Sequence, residues 1–135
     1  MSADVPEGFA RHFRKSPLTE PWEPLYSKRD EVGIIVGLRA GDQHCNSRGL
    51  VHGGLMSALA DNMLGLSCAA RHETVSGLVT VTLNLEFLAA AKAGQWLEFR
   101  PTAIKTGKTL DAAQGQVTAD GDPGAFASAT FRVLS

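Results

Sequence analysis

The segment that follows Asn46 combines residue types that could do chemistry. Residues 46–54 read NSRGLVHGG, and Asp61 lies nine residues after the histidine. A glycine pair leaves backbone N–H groups open to close approach. An ionised carboxylate among apolar neighbours is costly unless something compensates it. A carboxylate eight residues after the start of a glycine pair therefore indicates a chemical site more than a packing element.

Residues 53 to about 70 have the apolar spacing of one long helix that would position this acid. The bulky stripe of that helix consists of Leu55, Met56, Leu59, Met63, Leu66 and Ala70. The opposite face carries small residues and the acid, namely Ser57, Ala58, Asp61, Gly65 and Cys68. A glycine inside a helix costs about 1 kcal/mol relative to alanine. The small face is therefore expected to meet another backbone or a ligand.

Strand patterns precede this helix. Residues 25–28 and 32–38 have strand composition, with a turn at 29–30 between them. Residues 6–14 have the spacing of a short amphipathic helix, and the prolines at 17, 21 and 24 predict an extended path after it. The stretch 39–46 is expected to be a loop.

Strand patterns also follow the helix. Residues 79–87 alternate apolar and polar side chains with a period of two. Further strands are predicted over 95–104 with a bulge at Pro101, over 110–118, and over 125–134 after a hairpin at 120–124. One long helix followed by four antiparallel strands predicts an α+β fold in which the sheet wraps the helix.

Composition limits the function classes. A chain of 135 residues predicts a single domain, 1–135, and a net charge of -1 argues against a nucleic-acid partner. No segment has the roughly 20 apolar residues that span a bilayer. Residues 1–10 lack a signal-peptide pattern, which predicts a cytoplasmic location. Cys68 reads as a core thiol, whereas Cys45 beside the motif is an alternative nucleophile. The histidines share no metal-ligand spacing, so no metal is expected.

The motif Asn-x-x-Gly-x-x-His-Gly-Gly, with an Asp nine residues after the His, resembles the hotdog-fold thioesterases of the phenylacetic-acid-degradation (PaaI) type. These are related to one branch of the 4-hydroxybenzoyl-CoA thioesterases. The similarity continues through LNLEFL at 83–88, KAG at 92–94 and KTGKT at 105–109, and it covers roughly residues 30–134.

The resemblance implies a hotdog fold, an antiparallel sheet curled around one central helix at about 53–70. It also implies a homodimer whose sites use residues from both subunits, with dimers often paired into tetramers. The implied activity is hydrolysis of an acyl- or aroyl-CoA thioester to the free acid and CoA. No cofactor is implied, because CoA is part of the substrate.

Catalytic roles follow from the same resemblance. Asp61 matches the acidic nucleophile or general base, and Gly53 the residue whose N–H polarises the thioester carbonyl. Asn46 matches the amide that helps to place water or the leaving group, and Thr80 falls near the attacking water. His52 belongs to the motif, and its ring is expected to tie the loop by a hydrogen bond that fixes where Gly53 points.

Substrate contacts are implied for Gly54, Leu88, Gly107 and Lys108. One departure concerns the residues after the Phe-Leu pair, where relatives commonly carry Arg-Pro and this chain has alanines at 89–90. A basic residue there could have met the CoA phosphates. The basic residues that could bind the phosphates in its place are Lys92, Lys105, Lys108 and Arg48.

The chemistry suits these residue types. The carbonyl oxygen of a thioester gains negative charge as it is attacked, and N–H groups at a helix N-terminus can hold that charge. Asp61 could attack the carbonyl itself or deprotonate a water. Thiolate is a good leaving group, so no strong general acid is required.

Simpler interpretations remain open for each residue. Asp61 could pair with a lysine or arginine of another strand or form a bond across a dimer interface, and Asn46 could cap the turn before the helix. Thr80 could be an ordinary strand residue and Gly107 a plain hairpin glycine. Two other functions also remain open, a hotdog hydratase or dehydratase of enoyl thioesters and a non-catalytic acyl-CoA-binding module.

Overall fold

The long helix α1 runs from Gly53 to Ala69 and lies against one sheet. The computed structural model describes residues 5–134, so residues 1–4 and 135, including the start of the segment considered for a signal, lie outside the described residues. The strands are β1 (Ala10–Arg11), β2 (Tyr26–Arg29), β3 (Ile34–Arg39), β4 (Gly77–Phe87), β5 (Trp96–Lys105), β6 (Leu110–Ala119) and β7 (Asp122–Leu134). The predicted α+β architecture is confirmed.

The sheet has seven strands in the order β1-β2-β3-β5-β6-β7-β4, and every neighbouring pair is antiparallel. The two-residue β1 lies at one edge. The eleven-residue β4 lies at the other edge and pairs only with β7 among the described residues. The fold therefore ends in a long strand with one open side.

The core lies between α1 and the concave face of the sheet. Leu59, Met63 and Leu64 of the helix are fully buried, as is Phe99 of β5. Full burial of a side chain of this size contributes roughly 1.5–3 kcal/mol. No helix within residues 5–134 is long and apolar enough to cross a membrane.

The predicted helix over residues 6–14 is wrong. Gly8 has a positive φ of 92°, which a continuous helix does not allow, and Ala10–Arg11 pair with β2 as β1. The ring of Phe9 packs edge-on against Trp96 at 5.3 Å between centroids. Tertiary contacts thus override the local helical spacing in this segment.

The prediction of an extended path through the three prolines is partly wrong. Pro21 lies inside a short 3₁₀ helix, Glu20–Trp22, near whose start a proline is tolerated. A second 3₁₀ helix, Asp42–His44, interrupts the predicted loop at 39–46. The bulge predicted at Pro101 is confirmed, because the β5–β6 register shifts between Pro101 and Ala103.

A second bulge, in β4, changes which residues face the helix. The β4–β7 register shifts between Thr80 and Thr82. Thr80 therefore points toward α1, whereas Thr82 contacts Thr130 on the outer face. A strict period of two over residues 79–87 would have put both threonines on one face, so that prediction is wrong at this point.

Cys68 is a core residue, as predicted. It is fully buried on α1, and burial, reinforced by the nearby charge of Asp111, raises the pKa of its thiol to about 12. Cys45 is only partly buried, in the loop before the helix. The burial of Cys68 therefore predicts that its thiol reacts more slowly than that of the partly buried Cys45.

Iodoacetamide at pH 8 is expected to leave Cys68 unmodified in the native protein, because only about one thiol in ten thousand is ionised there. Peptide mass spectrometry after timed alkylation measures this. The Cys45→Ser variant isolates Cys68 as the single thiol, and denaturant should restore its labelling. Rapid native labelling of Cys68 in that variant contradicts the prediction.

Gly115→Ala is expected to destabilise the fold by about 1–3 kcal/mol. A Cβ at this position of β6 would lie 2.5 Å from the Arg100 carbonyl oxygen and 2.9 Å from the Met63 side chain. The matched control is Gly77→Ala, also in a strand, whose Cβ would meet no atom within 4 Å. Urea unfolding should separate the two variants, and equal midpoints would refute the packing argument.

Candidate active site

The start of α1 forms one half of the candidate site. His52 is the N-cap, and its Nδ1 accepts a hydrogen bond from the Gly54 N–H at 2.8 Å. The hydrogen bond expected of the His52 ring is therefore present. Gly53 is the first helical residue, and its N–H donates to no acceptor within residues 5–134. The positive end of the helix dipole thus carries an available donor.

Asn46 organises the loop that leads to the helix. Its side-chain Oδ1 accepts from the Arg48 N–H at 2.9 Å and from the Leu50 N–H at 3.2 Å. The turn-capping interpretation of Asn46 therefore describes its oxygen. Its side-chain NH₂ group has no partner in residues 5–134 and is available to another molecule.

A cleft of about 380 Å³ lies beside this half of the site. Residues from the loop, from α1 and from the end of β4 line it, including Asn46, Arg48, Gly53, Met56, Phe87 and Leu88. The structure thus brings three of the predicted site residues, Asn46, Gly53 and Leu88, to one cleft. A Cβ on Gly53 would lie 3.3 Å from the Phe87 ring, so the glycine lets this wall approach the helix.

Asp61 and Thr80 form the other half of the candidate site. The Thr80 hydroxyl donates to Asp61 Oδ1 at 2.7 Å. Asp61 is half-buried rather than buried, and within residues 5–134 no cation forms an ion pair with it. An ion pair of Asp61 is therefore absent from residues 5–134, and its Oδ2 is open to another molecule.

A second cleft, of about 390 Å³, lies beside Asp61. It is lined in part by Arg14, Asp61, Gly65, Val75, Thr80 and Phe131. Gly65, on the small face of the helix, lets the Phe131 ring approach, since a Cβ there would be 3.4 Å from it. Sequence reasoning missed Arg14 because its segment was predicted to be a helix, and nothing in the local sequence links that segment to Asp61.

The remaining predicted contacts lie elsewhere. The Gly54 N–H is hydrogen-bonded to His52 Nδ1, and Gly54 lines a third groove together with Cys45. Gly107 and Lys108 lie in the β5–β6 turn and line neither cleft. Gly107 also has a structural reason to be glycine, because a Cβ there would be 2.7 Å from the Leu110 carbonyl oxygen.

The neighbouring His44 is not placed to accept the thiol proton of Cys45. The His44 Nδ1 accepts from the Gly41 N–H at 2.9 Å, and its Nε2 lies 2.9 Å from the Trp22 carbonyl oxygen. Both ring nitrogens are therefore occupied. His12 is a buried residue of the N-terminal segment; burial lowers its pKa, and its Nε2 lies 3.1 Å from Asn62 Oδ1.

Comparison with known proteins places this arrangement in a family. The model of the thioesterase superfamily matches residues 48–124. A Pseudomonas aeruginosa protein named as an esterase is 37% identical over 131 residues, which cover 96% of this chain and 98% of that protein. Human acyl-coenzyme A thioesterase 13 is 30% identical over 77 residues, which cover 57% of this chain and 54% of that protein.

Comparison of structures gives the same fold. A mutant of the phenylacetic acid degradation protein PaaI from Thermus thermophilus superposes with a TM-score of 0.77 at 21% identity. The superposition covers 88% of this chain and all of that one. The sheet that packs on α1, the motif at the N-terminus of α1 and these likenesses together show that the chain has the hotdog fold and belongs to the thioesterase superfamily as a thioester hydrolase.

Proposed function

We propose that this protein hydrolyses an acyl- or aroyl-CoA thioester to the free acid and CoA, in a site shared by two copies of the chain. The observation that carries the proposal is the Thr80–Asp61 hydrogen bond, which presents an unpaired carboxylate at the edge of a cleft. The acyl-CoA class is supported by the name of the human relative.

One chain alone cannot place both halves of the site on one carbonyl group. Gly53 and Asp61 are eight residues apart on α1, which is about 12 Å along a helix axis. A reacting carbonyl needs its oxygen within about 3 Å of the donor and its carbon near the carboxylate. A second chain that brings its own Gly53 to this Asp61 satisfies both requirements.

The open edge of β4 provides the surface for such a pair. Apolar side chains along and just after this strand are exposed, including Val79 at 50%, Val81 at 56%, Phe87 at 52% and Leu88 at 50%. A long apolar edge strand is rarely left uncovered in a native protein. The occupant that fits is a second β4, because β4 can continue the sheet across a two-fold axis.

That pairing also joins the two clefts. Thr80 lies near the start of β4 against Asp61, and Phe87 ends β4 against Gly53. In an antiparallel pair centred on the middle of β4, the Thr80 end of one strand lies beside the Phe87 end of the other. Each Asp61 cleft then adjoins the partner's Gly53 cleft, giving two equivalent sites per dimer. Pairing of dimers into tetramers stays a prediction.

In the proposed reaction the Gly53 N–H binds the thioester oxygen and stabilises its negative charge with the help of the helix dipole. Asp61 either takes a proton from a water whose oxygen bonds to the carbonyl carbon or attacks that carbon to form an anhydride, which water then hydrolyses. The C–S bond breaks, and the CoA thiolate takes up a proton. A single turnover in heavy-oxygen water separates the routes, because only the anhydride route labels Asp61.

Thr80 has a defined part in this scheme. Its hydroxyl donates to Oδ1, so the carboxylate is held with Oδ2 free for the reaction. The hydratase alternative needs a histidine that faces an acid in a substrate cleft, and the pair of His72 with Asp111 lines neither cleft. His52 instead caps the start of α1, away from the Asp61 of its own chain, and its Nδ1 is occupied by the Gly54 N–H. The match to the thioesterase superfamily and the occupied Nδ1 of His52 therefore favour hydrolysis.

Asp61→Asn is expected to lower kcat by about 10²–10⁴, because the amide can neither accept the proton nor attack. Thr80→Val should lower kcat/KM roughly tenfold by releasing the carboxylate. Thr82→Val is the matched control, since its hydroxyl bonds Thr130 on the outer face. Thiol release from several acyl-CoAs measures all three, and full turnover by Asp61→Asn would eliminate the proposed acid.

Mixing two inactive variants tests the shared site. Gly53→Pro removes the N–H at the first helical position, where proline is tolerated, and Asp61→Asn removes the acid. Co-refolded heterodimers contain one intact site, so equal amounts should recover about a quarter of the wild-type activity. Each variant refolded alone is the control. No recovery in a mixture shown to contain heterodimers contradicts a site built from two chains.

A further inference from the structure

A fully buried carboxylate lies outside both clefts, near the start of β6. Asp111 is 0% exposed. Its Oδ2 lies 2.7 Å from His72 Nε2, and its Oδ1 accepts from the Gly107 N–H at 3.0 Å. The proposed reaction uses none of these three residues as an acid, base or nucleophile. A buried carboxyl group with two specific hydrogen-bond partners therefore needs its own explanation.

The pair connects two parts of the chain that are distant in sequence. His72 follows the end of α1, where its N–H bonds the Ala69 carbonyl oxygen at 3.1 Å. Gly107 lies in the turn between β5 and β6, here called the 105–109 turn. Asp111 therefore fixes this turn to the end of the central helix rather than to its own hairpin alone.

Stability alone is a weak reason for this arrangement. Taking a carboxylate out of water is costly, and a buried ionic or polar pair often stabilises a fold no better than apolar side chains would. What such a pair provides is a defined geometry. The turn is also tightly packed, since a Cβ on Gly107 would be 2.7 Å from the Leu110 carbonyl oxygen.

The turn held in this way presents two cations to solvent. Lys105 and Lys108 are exposed, and neither forms an ion pair or hydrogen bond within residues 5–134. Cations on a fixed backbone bind an anion with less loss of conformational freedom than cations on a mobile one. CoA carries phosphates on its nucleotide end, and the residues at 89–90 are alanines that cannot bind them.

We propose that His72 and Asp111 are positioning residues that hold the 105–109 turn so that its lysines bind the phosphates of CoA. The inference rests on the proposed function for the identity of the ligand. It assigns His72 and Asp111 no contact with the substrate. Their effect is on the nucleotide end of the substrate and not on the thioester.

Calorimetric titration with CoA tests this without any need for turnover. Asp111→Ala removes both hydrogen bonds, and His72→Leu removes one at the partly exposed end of the helix. Both are expected to raise the Kd for CoA about tenfold. Asp111→Asn keeps an oxygen for the Gly107 N–H and should recover part of the affinity. Lys108→Ala should weaken CoA binding by a similar factor, because it removes a cation that the turn presents.

Ser67→Ala is the matched control for a loss of buried hydrogen bonds. Ser67 is fully buried near the same end of α1, where its hydroxyl bonds the backbone of Ile34. It is expected to lower the unfolding midpoint without changing the Kd for CoA. If His72→Leu, folded and with a comparable midpoint, binds CoA as the wild type does, the inference is wrong.

Turnover of two substrates provides the second readout. A matched pair is an acyl-CoA and the same acyl group on N-acetylcysteamine, which has no nucleotide. The positioning variants should raise KM for the acyl-CoA and leave kcat/KM for the short thioester within about twofold. Equal losses on both substrates would show a general structural role and overturn the inference. A wild type that binds CoA but hydrolyses neither substrate overturns the proposed function, while the CoA titrations still decide the inference.

Discussion

The hydrogen bond between Thr80 and Asp61 is the contact on which the candidate site depends. It joins the middle of the helix to the edge strand, and it exists because a bulge turns Thr80 inward just before the strand resumes its ordinary alternation. Without the extra residue, the threonine would face the outside of the sheet with Thr82, and the carboxylate would have no hydroxyl donor beside it. The register shift between β4 and β7 thus places a hydroxyl donor beside the candidate acid.

The second constraint is the length of α1. A helix presents its free N–H groups only at its first turn, and Asp61 is two turns further along. The fold therefore separates the group that would stabilise negative charge from the group that would start the attack. The open edge of β4 and the position of the two clefts at opposite ends of that strand provide a geometric way to reunite them.

The sequence predicted the parts of the fold that depend on local spacing. The helix was expected at 53–70 and runs to residue 69, and the bulge at Pro101 follows from a missing N–H. The segment 6–14 failed because Gly8 and the packing of Phe9 against Trp96 outweigh its helical spacing. The bulge in β4 had no signal at all, since VTVTLNLEF alternates perfectly.

The candidate site shows the same division. The motif predicted Asp61, Gly53 and Asn46 as site residues, and the structure adds the hydrogen bond from the Thr80 hydroxyl to the Asp61 carboxylate. The pairing of His72 with Asp111 spans 39 residues of sequence and two kinds of element, so no local pattern could reveal it. Lys108 was predicted from resemblance, but its place on a turn fixed from behind by a buried carboxylate comes only from the three-dimensional arrangement.

If two chains pair through β4 as proposed, the apolar edge of this strand has a consequence for a single chain. A newly synthesised chain exposes the apolar strand β4, in which Glu86 is the only charged side chain. Such a border invites association with any extended polypeptide nearby. Rapid docking onto an identical neighbour would then serve the cell as protection against aggregation, and scarcity of that neighbour would leave a folded but inactive and sticky molecule.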